Sequence, residues 1–394
     1  MRTILEHQVN LRVALLDEAW SDPETFVLLP DKGGVTAEWV EAQLSRVPCE
    51  LHTGHFVMLT SGSTGKPKLI VGSRMRSEGL ARTLHQWQDC EPVGQAILTL
   101  PLTYTYSFVN QWLWSRVVGR PLVQTAGLSR PEELGATLRQ AKDAMLCLVG
   151  VQVPLLEQFF AGQAFPGVIR VHFAGGRFPQ ERLAVVAALF PNASVFNNYG
   201  CAEAMPRLTL RRANESPEAS NIGRPLPGIE LASDKHDALR FRSRFSAVGI
   251  VEESSGFTPI TDETWTPTGD LGRPTPDGSW QLLGRASEVF KRYGEKISLA
   301  SLLTTVLANW SGQAAFYREA DLRGEEGHVL VLAPAPEDAQ VRSLLRALAA
   351  THPRTHWPIR VESLDTLPTL SSGKVDSIAL RSVPDKRSHW HQRI

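Results

Sequence analysis

The chain has 394 residues, more than one compact core normally holds, so we expect two or three domains. Its 41 Lys and Arg residues balance its 41 Asp and Glu residues, which argues against a surface built mainly to bind nucleic acid or acidic membranes. The sequence contains no uninterrupted apolar run of about 18 residues, so no membrane span is predicted.

The cysteines and histidines are scattered along the chain. The four cysteines lie far apart without a CxxC pair, which is typical of a reducing cytosol and not of a disulfide framework. The N-terminal MRTILEHQVN lacks the apolar run of a signal peptide, so we expect a cytoplasmic protein. The 11 histidines show no metal-ligand spacing, and no histidine metal site is predicted.

The predicted elements of the first half alternate between strands and helices. In chain order they are helices at 4–16 and 36–46 around a strand at 27–29, strands at 56–59 and 96–100, a helix at 131–142, strands at 145–151 and 168–173, a helix at 179–190 and a strand at 194–200. Near-continuous apolar strands indicate an α/β fold, with a doubly wound, mostly parallel sheet in a large N-terminal domain. Ligands bind such sheets beyond the carboxyl ends of the strands.

The pattern changes after residue 220. Short segments with Pro and Gly turns at 221–285 predict a small β-rich subdomain. After Arg285 we expect an α+β unit with helices near 299–308 and 337–350 and strands at 313–317, 328–333 and 358–362. The expected organisation is therefore an N-terminal domain over 1–285 and a mobile C-terminal domain over 286–394, with a boundary at 285–289.

The string TSGSTGKPK at 60–68 follows an apolar strand and is suited to bind phosphate. Gly62 and Gly65 allow positive φ angles, so backbone N–H groups can form a concavity for an anion. Further donors and charges come from Thr60, Ser61, Ser63, Thr64, Lys66 and Lys68. A Walker A loop would need Gly at position 60 and Ser or Thr at position 67; Thr60 and Pro67 stand there, which disfavours a P-loop phosphotransferase. A flexible surface turn is the other alternative, disfavoured by the length of the string.

TSGSTGKPK resembles the signature loop of the acyl-adenylate-forming superfamily, which contains acyl- and aryl-CoA ligases, peptide-synthetase adenylation domains and luciferases. AGGRFP at 174–179, with Gly175 and Gly176, resembles the Gly-Gly turn on the adenine side of that family's site. NNYGCAE at 197–203 resembles its Tyr-Gly-x-Thr-Glu motif. The resemblance implies that Tyr199, which precedes Gly200, stacks on adenine and that Glu203 holds Mg²⁺.

The remaining motifs follow in the family's order, so that the resemblance covers about 56–380. TGD at 268–270 implies that Asp270 binds the ribose diol, and GRASEVFK at 284–291 resembles the hinge, where Arg285 contacts phosphate or ribose. Ser287 and Glu288 stand where the family often has two aspartates. LPTLSSGKVD at 367–376 implies that Lys374 is the mobile lysine of adenylation.

Two departures from the family stand out. Ala202 occupies the usual Thr position and removes a hydroxyl expected near the α-phosphate. Only 59 residues precede the loop, fewer than in typical members, so the N-terminal region is expected to be shortened and to expose a face for a homodimer.

The resemblance implies ATP and Mg²⁺ as cofactors and an acid pocket lined by the segment PLTYTYSFVNQ at 101–111. Tyr104 stands where many relatives have His, and Ser107 where they often have Gly; no Asp is present to pair an α-ammonium group. The implied pocket residues are Tyr104, Tyr106, Ser107, Val149 and Gly150. They suit an aromatic or short apolar acid without an amino group; the alternative is that the aromatic side chains belong only to the core.

The acceptor implied by the family is a phosphopantetheine thiol. An acyl carrier protein is slightly favoured because the N-terminal region is short, and free CoA is the alternative. A degenerate, non-catalytic nucleotide-binding protein is an alternative of another class, motivated by Ala202 and by the short N-terminal region. The presence of Lys374, Asp270 and Glu203 argues against it.

Overall fold

The computed structural model describes residues 1–31, 34–61, 67–369 and 375–392. The chain forms two compact units, one of Met1–Thr268 with Pro274–Gln281 and one of Gly269–Arg273 with Leu282–Ile394. Among the described residues, no helix has the length and apolar composition needed to cross a bilayer.

The first unit contains two sheets and the helices that cover them. Its strands are β1 (Arg2–Leu5), β2 (Phe26–Leu29), β3 (His55–Ser61), β4 (Pro67–Ser73), β5 (Gln95–Leu98), β6 (Leu122–Gln124), β7 (Ala144–Leu148), β8 (Val168–Phe173), β9 (Ser194–Tyr199), β10 (Thr209–Arg212), β11 (Asn221–Pro225), β12 (Ile229–Ser233), β13 (Ala238–Ser243), β14 (Gly249–Glu252) and β15 (Gly256–Pro259). The boundaries between the units fall within β16 (Thr266–Pro274) and β17 (Trp280–Arg285).

The helices of the first unit are α1 (Glu6–Leu11), α2 (Ala14–Ser21), α3 (Ala37–Leu44), α4 (Arg74–Trp87), α5 (Thr105–Ser107), α6 (Trp114–Val118), α7 (Pro131–Gln140), α8 (Val153–Phe159) and α9 (Leu183–Leu189). A π-helical segment, Phe108–Leu113, joins α5 to α6. Such segments widen a helix by one residue per turn and often occur at functional sites.

The larger sheet carries the predicted parallel core. Among the described residues this sheet has eleven strands, and the part from β11 to β6 has the order β11-β10-β9-β8-β7-β5-β6. The pairs β9–β8, β8–β7, β7–β5 and β5–β6 are parallel, whereas β10 is antiparallel to both β9 and β11. All five residues of β7 are buried, and its apolar side chains pack with those of α7, α8 and α9. The predicted α/β class is confirmed, and the sheet is mixed, with a parallel core and antiparallel strands beside it. The complete burial of β7 is typical of a strand that is covered on both faces.

The smaller sheet has the order β1-β2-β3-β4-β14-β15. Its first strand was not predicted: residues 2–5 pair in parallel with β2, with Ile4 opposite Leu28, and the helices begin only at Glu6. A long-range pairing here overrides the helical pattern of the local sequence. The short strands predicted at 221–285 are present, and β14 and β15 join this sheet through β4.

The second unit has its own α+β core. Its strands are β18 (Val289–Arg292), β19 (Glu295–Ser298), β20 (Gln313–Ala320), β21 (Glu326–Ala333), β22 (Arg360–Ser363) and β23 (Arg387–His391), and its helices are α10 (Leu299–Asn309), α11 (Asp338–Thr351) and α12 (Ser377–Ser382). A sheet of order β20-β21-β22-β23 packs against α10 and α11 through residues such as Leu302, Leu332 and Leu344. The β18–β19 hairpin turns at Tyr293 and Gly294, both with positive φ.

Candidate active site

The predicted phosphate loop connects β3 to β4, which form an antiparallel hairpin. Thr60 lies directly opposite Lys68, and Ser61 opposite Pro67, at the end of this hairpin that bears the loop. The Oγ1 atom of Thr60 is buried and has no hydrogen-bond partner among the described residues. Five of the predicted site residues lie outside the described residues: Gly62, Ser63, Thr64, Gly65 and Lys374.

Lys68 and Glu203 form a buried ion pair across 135 residues of sequence. The distance between Lys68 Nζ and Glu203 Oε1 is 2.5 Å, and Glu252 Oε1 lies 4.0 Å from the same ammonium group. Burial raises the pKa of Glu203, but the charge and hydrogen bond of Lys68 outweigh it, so the pKa falls below its ordinary value of 4.5. The carboxylate is therefore ionised near neutral pH and fits the hard-oxygen ligand that Mg²⁺ takes beside phosphates.

Glu203 is held by the tight turn that follows β9. A Cβ atom on Gly200 would lie 1.8 Å from the carbonyl oxygen of Pro206, so only glycine fits there. The backbone N–H of Ala247 donates to the carbonyl oxygen of Glu203 at 2.9 Å. Tyr199, half-buried at the end of β9, packs against the core beside this turn. The motif residues Tyr199, Gly200 and Glu203 thus lie together at the end of β9 and in the tight turn after it.

The Gly175–Gly176 turn follows β8 and meets the end of β7. Gly175 has a φ of +77°, and a Cβ atom on Gly175 would lie 3.4 Å from Cγ1 of Val149. A Cβ atom on Gly150 would lie 2.4 Å from the carbonyl oxygen of Arg177. These close approaches bring the predicted adenine-side turn to the predicted acid-pocket residues Val149 and Gly150.

The other predicted pocket residues lie beside them. Tyr104, Tyr106 and Val149 pack in one apolar cluster with Leu100, Cys147 and Ala174. The hydroxyl of Tyr106 is buried and donates to the carbonyl oxygen of His172 at 2.9 Å, and burial raises its pKa well above 10.0. Ser107 is buried at the start of the π-helical segment, where its hydroxyl donates to the carbonyl oxygens of Pro101 and Tyr104.

Arg207 belongs to the same region, and sequence reasoning did not single it out. Its guanidinium is completely buried, lies 5.3 Å from the centre of the Tyr106 ring and donates from Nη2 to Asn110 Oδ1 at 2.6 Å. Burial lowers its pKa to about 10. One sequence signal could have found this residue: Arg207 stands four residues after Glu203, in a run of otherwise apolar and small residues.

In the second unit, Asp270 pairs with Arg285. Arg285 Nε lies 3.0 Å from Asp270 Oδ1, and the Asp270 side chain is nearly buried while that of Arg285 is 38% exposed. Ser287 and Glu288 lie in the exposed turn that follows Arg285, where the carbonyl oxygen of Ser287 accepts a hydrogen bond from Arg318 at 3.3 Å. The structure thus brings Asp270 and Arg285 together as charged neighbours.

Comparison with known proteins agrees with this set of motifs. Residues 5–236, more than half of the chain, match the family model of AMP-binding enzymes, and the chain belongs to that family. It is 26% identical over 342 residues to the non-ribosomal peptide synthetase CmlP of Streptomyces venezuelae, a match that covers 83% of this chain and 34% of that protein. The chain spans about a third or less of the length of several such relatives.

Two solved structures share the fold. The anthranilate CoA ligase AuaEII in complex with anthranoyl-AMP has a TM-score of 0.73 at 16% identity, over 96% of this chain and 77% of that one. O-succinylbenzoate coenzyme A synthetase from Bacillus subtilis, in complex with ATP and magnesium, has a TM-score of 0.70 at 18% identity, over 96% and 89%. At these identities the likeness establishes the fold.

Proposed function

We propose that the protein uses ATP to convert a carboxylic acid into an acyl-AMP and then transfers the acyl group to a pantetheine thiol. The observation that carries this proposal is the buried Lys68–Glu203 ion pair. It joins the hairpin that bears the phosphate loop to the Tyr199–Gly200 turn, so the two motifs expected to hold ATP are within one hydrogen bond of each other. Membership of the AMP-binding family supports the same chemistry.

The first step requires two anions to meet. One carboxylate oxygen of the acid attacks the α-phosphorus of ATP, the bond to the bridging oxygen breaks, and pyrophosphate leaves. Lys68 supplies a fixed positive charge for the phosphates, and the ionised Glu203 would hold Mg²⁺, which neutralises further phosphate charge. The protein therefore acts by alignment and electrostatic stabilisation.

Asp270, Arg285 and Lys374 have roles that rest on the resemblance. Asp270 is buried with one carboxylate oxygen on Arg285, an arrangement that orients the group before a ribose diol binds. Arg285 would contact phosphate or ribose. Lys374 would reach the α-phosphate and the acid during adenylation, and Ser287 and Glu288 would serve as the hinge for the second step.

The acid pocket is proposed at the cluster of Tyr104, Tyr106 and Val149, next to Gly150 and Ser107. Aromatic walls favour a flat aromatic or short apolar chain on the acid. The segment 101–111 carries no Asp for an α-ammonium group, which supports an acid without an amino group. An acyl carrier protein is the favoured acceptor, and free CoA is the alternative.

Exchange of labelled pyrophosphate into ATP, run with a panel of aromatic and short acids, tests this proposal. Label should enter ATP only when a suitable acid is present, and Lys68→Met should abolish the exchange. The matched control is Lys235→Met, because Lys235 is exposed in a turn. A protein that binds ATP but exchanges no label with any acid of the panel would support the degenerate nucleotide-binding alternative. Mass spectrometry of a holo carrier protein or CoA in the same mixture identifies the acceptor.

A further inference from the structure

Arg207 carries a buried charge that the described residues leave uncompensated. Its Nε and Nη1 atoms are buried and find no hydrogen-bond partner in the described ranges, where Nη2 alone is satisfied, by Asn110. No ion pair joins Arg207 to a carboxylate within the part of the chain that the structure describes. Burying an unpaired guanidinium is costly, so a native protein that retains one normally supplies it with a partner, such as a ligand, an ion or ordered water.

Other buried arginines of this chain show what a structural arginine looks like. Arg211 donates to the backbone carbonyl oxygens of Asn221, Ala213, Ser216 and Glu218 and to the side chain of Gln180. Arg292 forms a buried ion pair with Asp321 and donates to two carbonyl oxygens. Arg207 differs from both, because no carbonyl oxygen and no carboxylate of the described residues receives its remaining donors.

The surroundings of Arg207 connect it to the proposed acid pocket. The guanidinium lies against the ring of Tyr106, which packs with Val149 in the cluster described above. Val149 in turn approaches Gly175, which is exposed with Gly176 at the surface of the unit. The cluster therefore has a solvent-facing end at the Gly-Gly turn and a positively charged end at Arg207.

We propose that Arg207 binds a second anionic group of the substrate, so that the acid activated by this protein is a dicarboxylic acid. This inference rests on the proposed function and specifies its substrate class. One carboxylate attacks the α-phosphorus and displaces pyrophosphate, and the other stays unreacted on Arg207. A guanidinium with free donors is suited to a carboxylate, since charged hydrogen bonds to such a group are short and strong.

Two further observations agree with an anionic occupant. Burial is the main cause of the lowered pKa of Arg207, and the groups that raise it, Tyr106 and Cys147, are neutral at neutral pH. Asn110, which fixes Nη2, lies in the π-helical segment Phe108–Leu113 and is itself anchored to the carbonyl oxygen of Tyr106 at 2.8 Å. The arginine is thus held in place through Nη2, while the residues that the structure describes leave its Nε and Nη1 donors unused.

The test compares matched acids in the pyrophosphate exchange assay. Each diacid is paired with the same molecule that bears a methyl group instead of one carboxylate. The pairs are isophthalate with m-toluate, terephthalate with p-toluate, and glutarate with valerate. We expect wild type to prefer at least one diacid about tenfold or more in kcat/KM. Arg207→Met should remove that preference through a raised KM with a nearly unchanged kcat. Arg207→Lys should be intermediate, and Arg82→Met, at an exposed position on α4, should behave as wild type.

Thermal unfolding of the ligand-free protein separates this role from a structural one. Replacing an uncompensated buried charge with an apolar side chain of similar size is neutral or stabilising, so Arg207→Met should unfold at the wild-type temperature or above it. A destabilised Arg207→Met protein that loses monoacid and diacid activity together would overturn the proposal.

The remaining outcomes separate this proposal from the proposed function. Exchange with monoacids and no diacid preference overturns the assignment of Arg207 alone. Exchange with none of the acids overturns both, and stabilisation by a diacid in wild type but not in Arg207→Met would then support an anion site without adenylation.

Discussion

The Lys68–Glu203 ion pair is the feature whose removal has the most specific expected result. Both side chains are close to fully buried, with 10% and 13% of their surfaces exposed. Truncating one member of a buried pair leaves an unpaired charge and costs about 3–5 kcal/mol. We therefore expect Lys68→Met and Glu203→Gln each to lower the free energy of unfolding by an amount in this range.

The double variant distinguishes the pair from two independent residues. With both charges gone no unpaired ion remains, so the double variant should be more stable than the sum of the two single losses predicts, by about 1–3 kcal/mol. The assay is urea unfolding of the ligand-free protein, followed by tryptophan fluorescence. Additive losses, or single losses below about 0.5 kcal/mol, would refute the assignment of a buried, coupled pair.

The same pair predicts a pH dependence. The pKa of Glu203 is lower in the folded protein than its ordinary value of 4.5, so the stabilisation is fully present above that value and is lost as pH falls through the folded pKa. Wild type should lose more stability than Glu203→Gln between about pH 5 and pH 3. Parallel pH profiles for the two proteins would contradict this sign.

The other predictions concern turns and charged contacts. Gly200→Ala should lower the free energy of unfolding in urea by about 3 kcal/mol or more, because its Cβ would meet a backbone oxygen at 1.8 Å. The control Gly176→Ala, whose Cβ would have no atom within 4 Å, should change that free energy by about 0.5 kcal/mol or less. Equal losses would contradict the packing argument. Asp270→Ala should lower kcat/KM for ATP about tenfold or more, and the exposed Asp262→Ala should not; an unchanged KM for ATP would remove the ribose role. Lys374→Ala should nearly abolish adenylation yet retain thioester formation from preformed acyl-AMP, and equal survival of both half-reactions would exclude it as the mobile lysine.

The fold was predictable where the pattern was local. The run MLCLVGV predicts a strand buried on both faces, and β7 is one. The chain start was not predictable in this way. Ile4 belongs to a periodic segment that favours a helix, but its pairing with Leu28 in a neighbouring strand decides the structure. A contact between strands that are distant in sequence has no signature in a local window.

The residues of the candidate site also fall into two groups, those that a local motif identifies and those that only long-range contacts bring together. The spacing from Tyr199 to Glu203 is a local motif and could be recognised, and the need for Gly200 follows from the turn. The contact between Lys68 and Glu203 depends on how two sheets meet, and no single motif encodes it. Arg207 was missed because an arginine in a sequence is expected at the surface. Its burial depends on the π-helical segment and on Tyr106, which only the folded chain brings to it.

Transfer of oxygen from the acid to AMP tests the central claim most directly. When the acid is labelled with oxygen-18 in its carboxylate, attack on the α-phosphorus followed by acyl transfer to a thiol leaves one labelled oxygen on AMP. Mass spectrometry should find that label in AMP and none in pyrophosphate. Unlabelled AMP, or label in pyrophosphate or inorganic phosphate, would contradict acyl-adenylate chemistry.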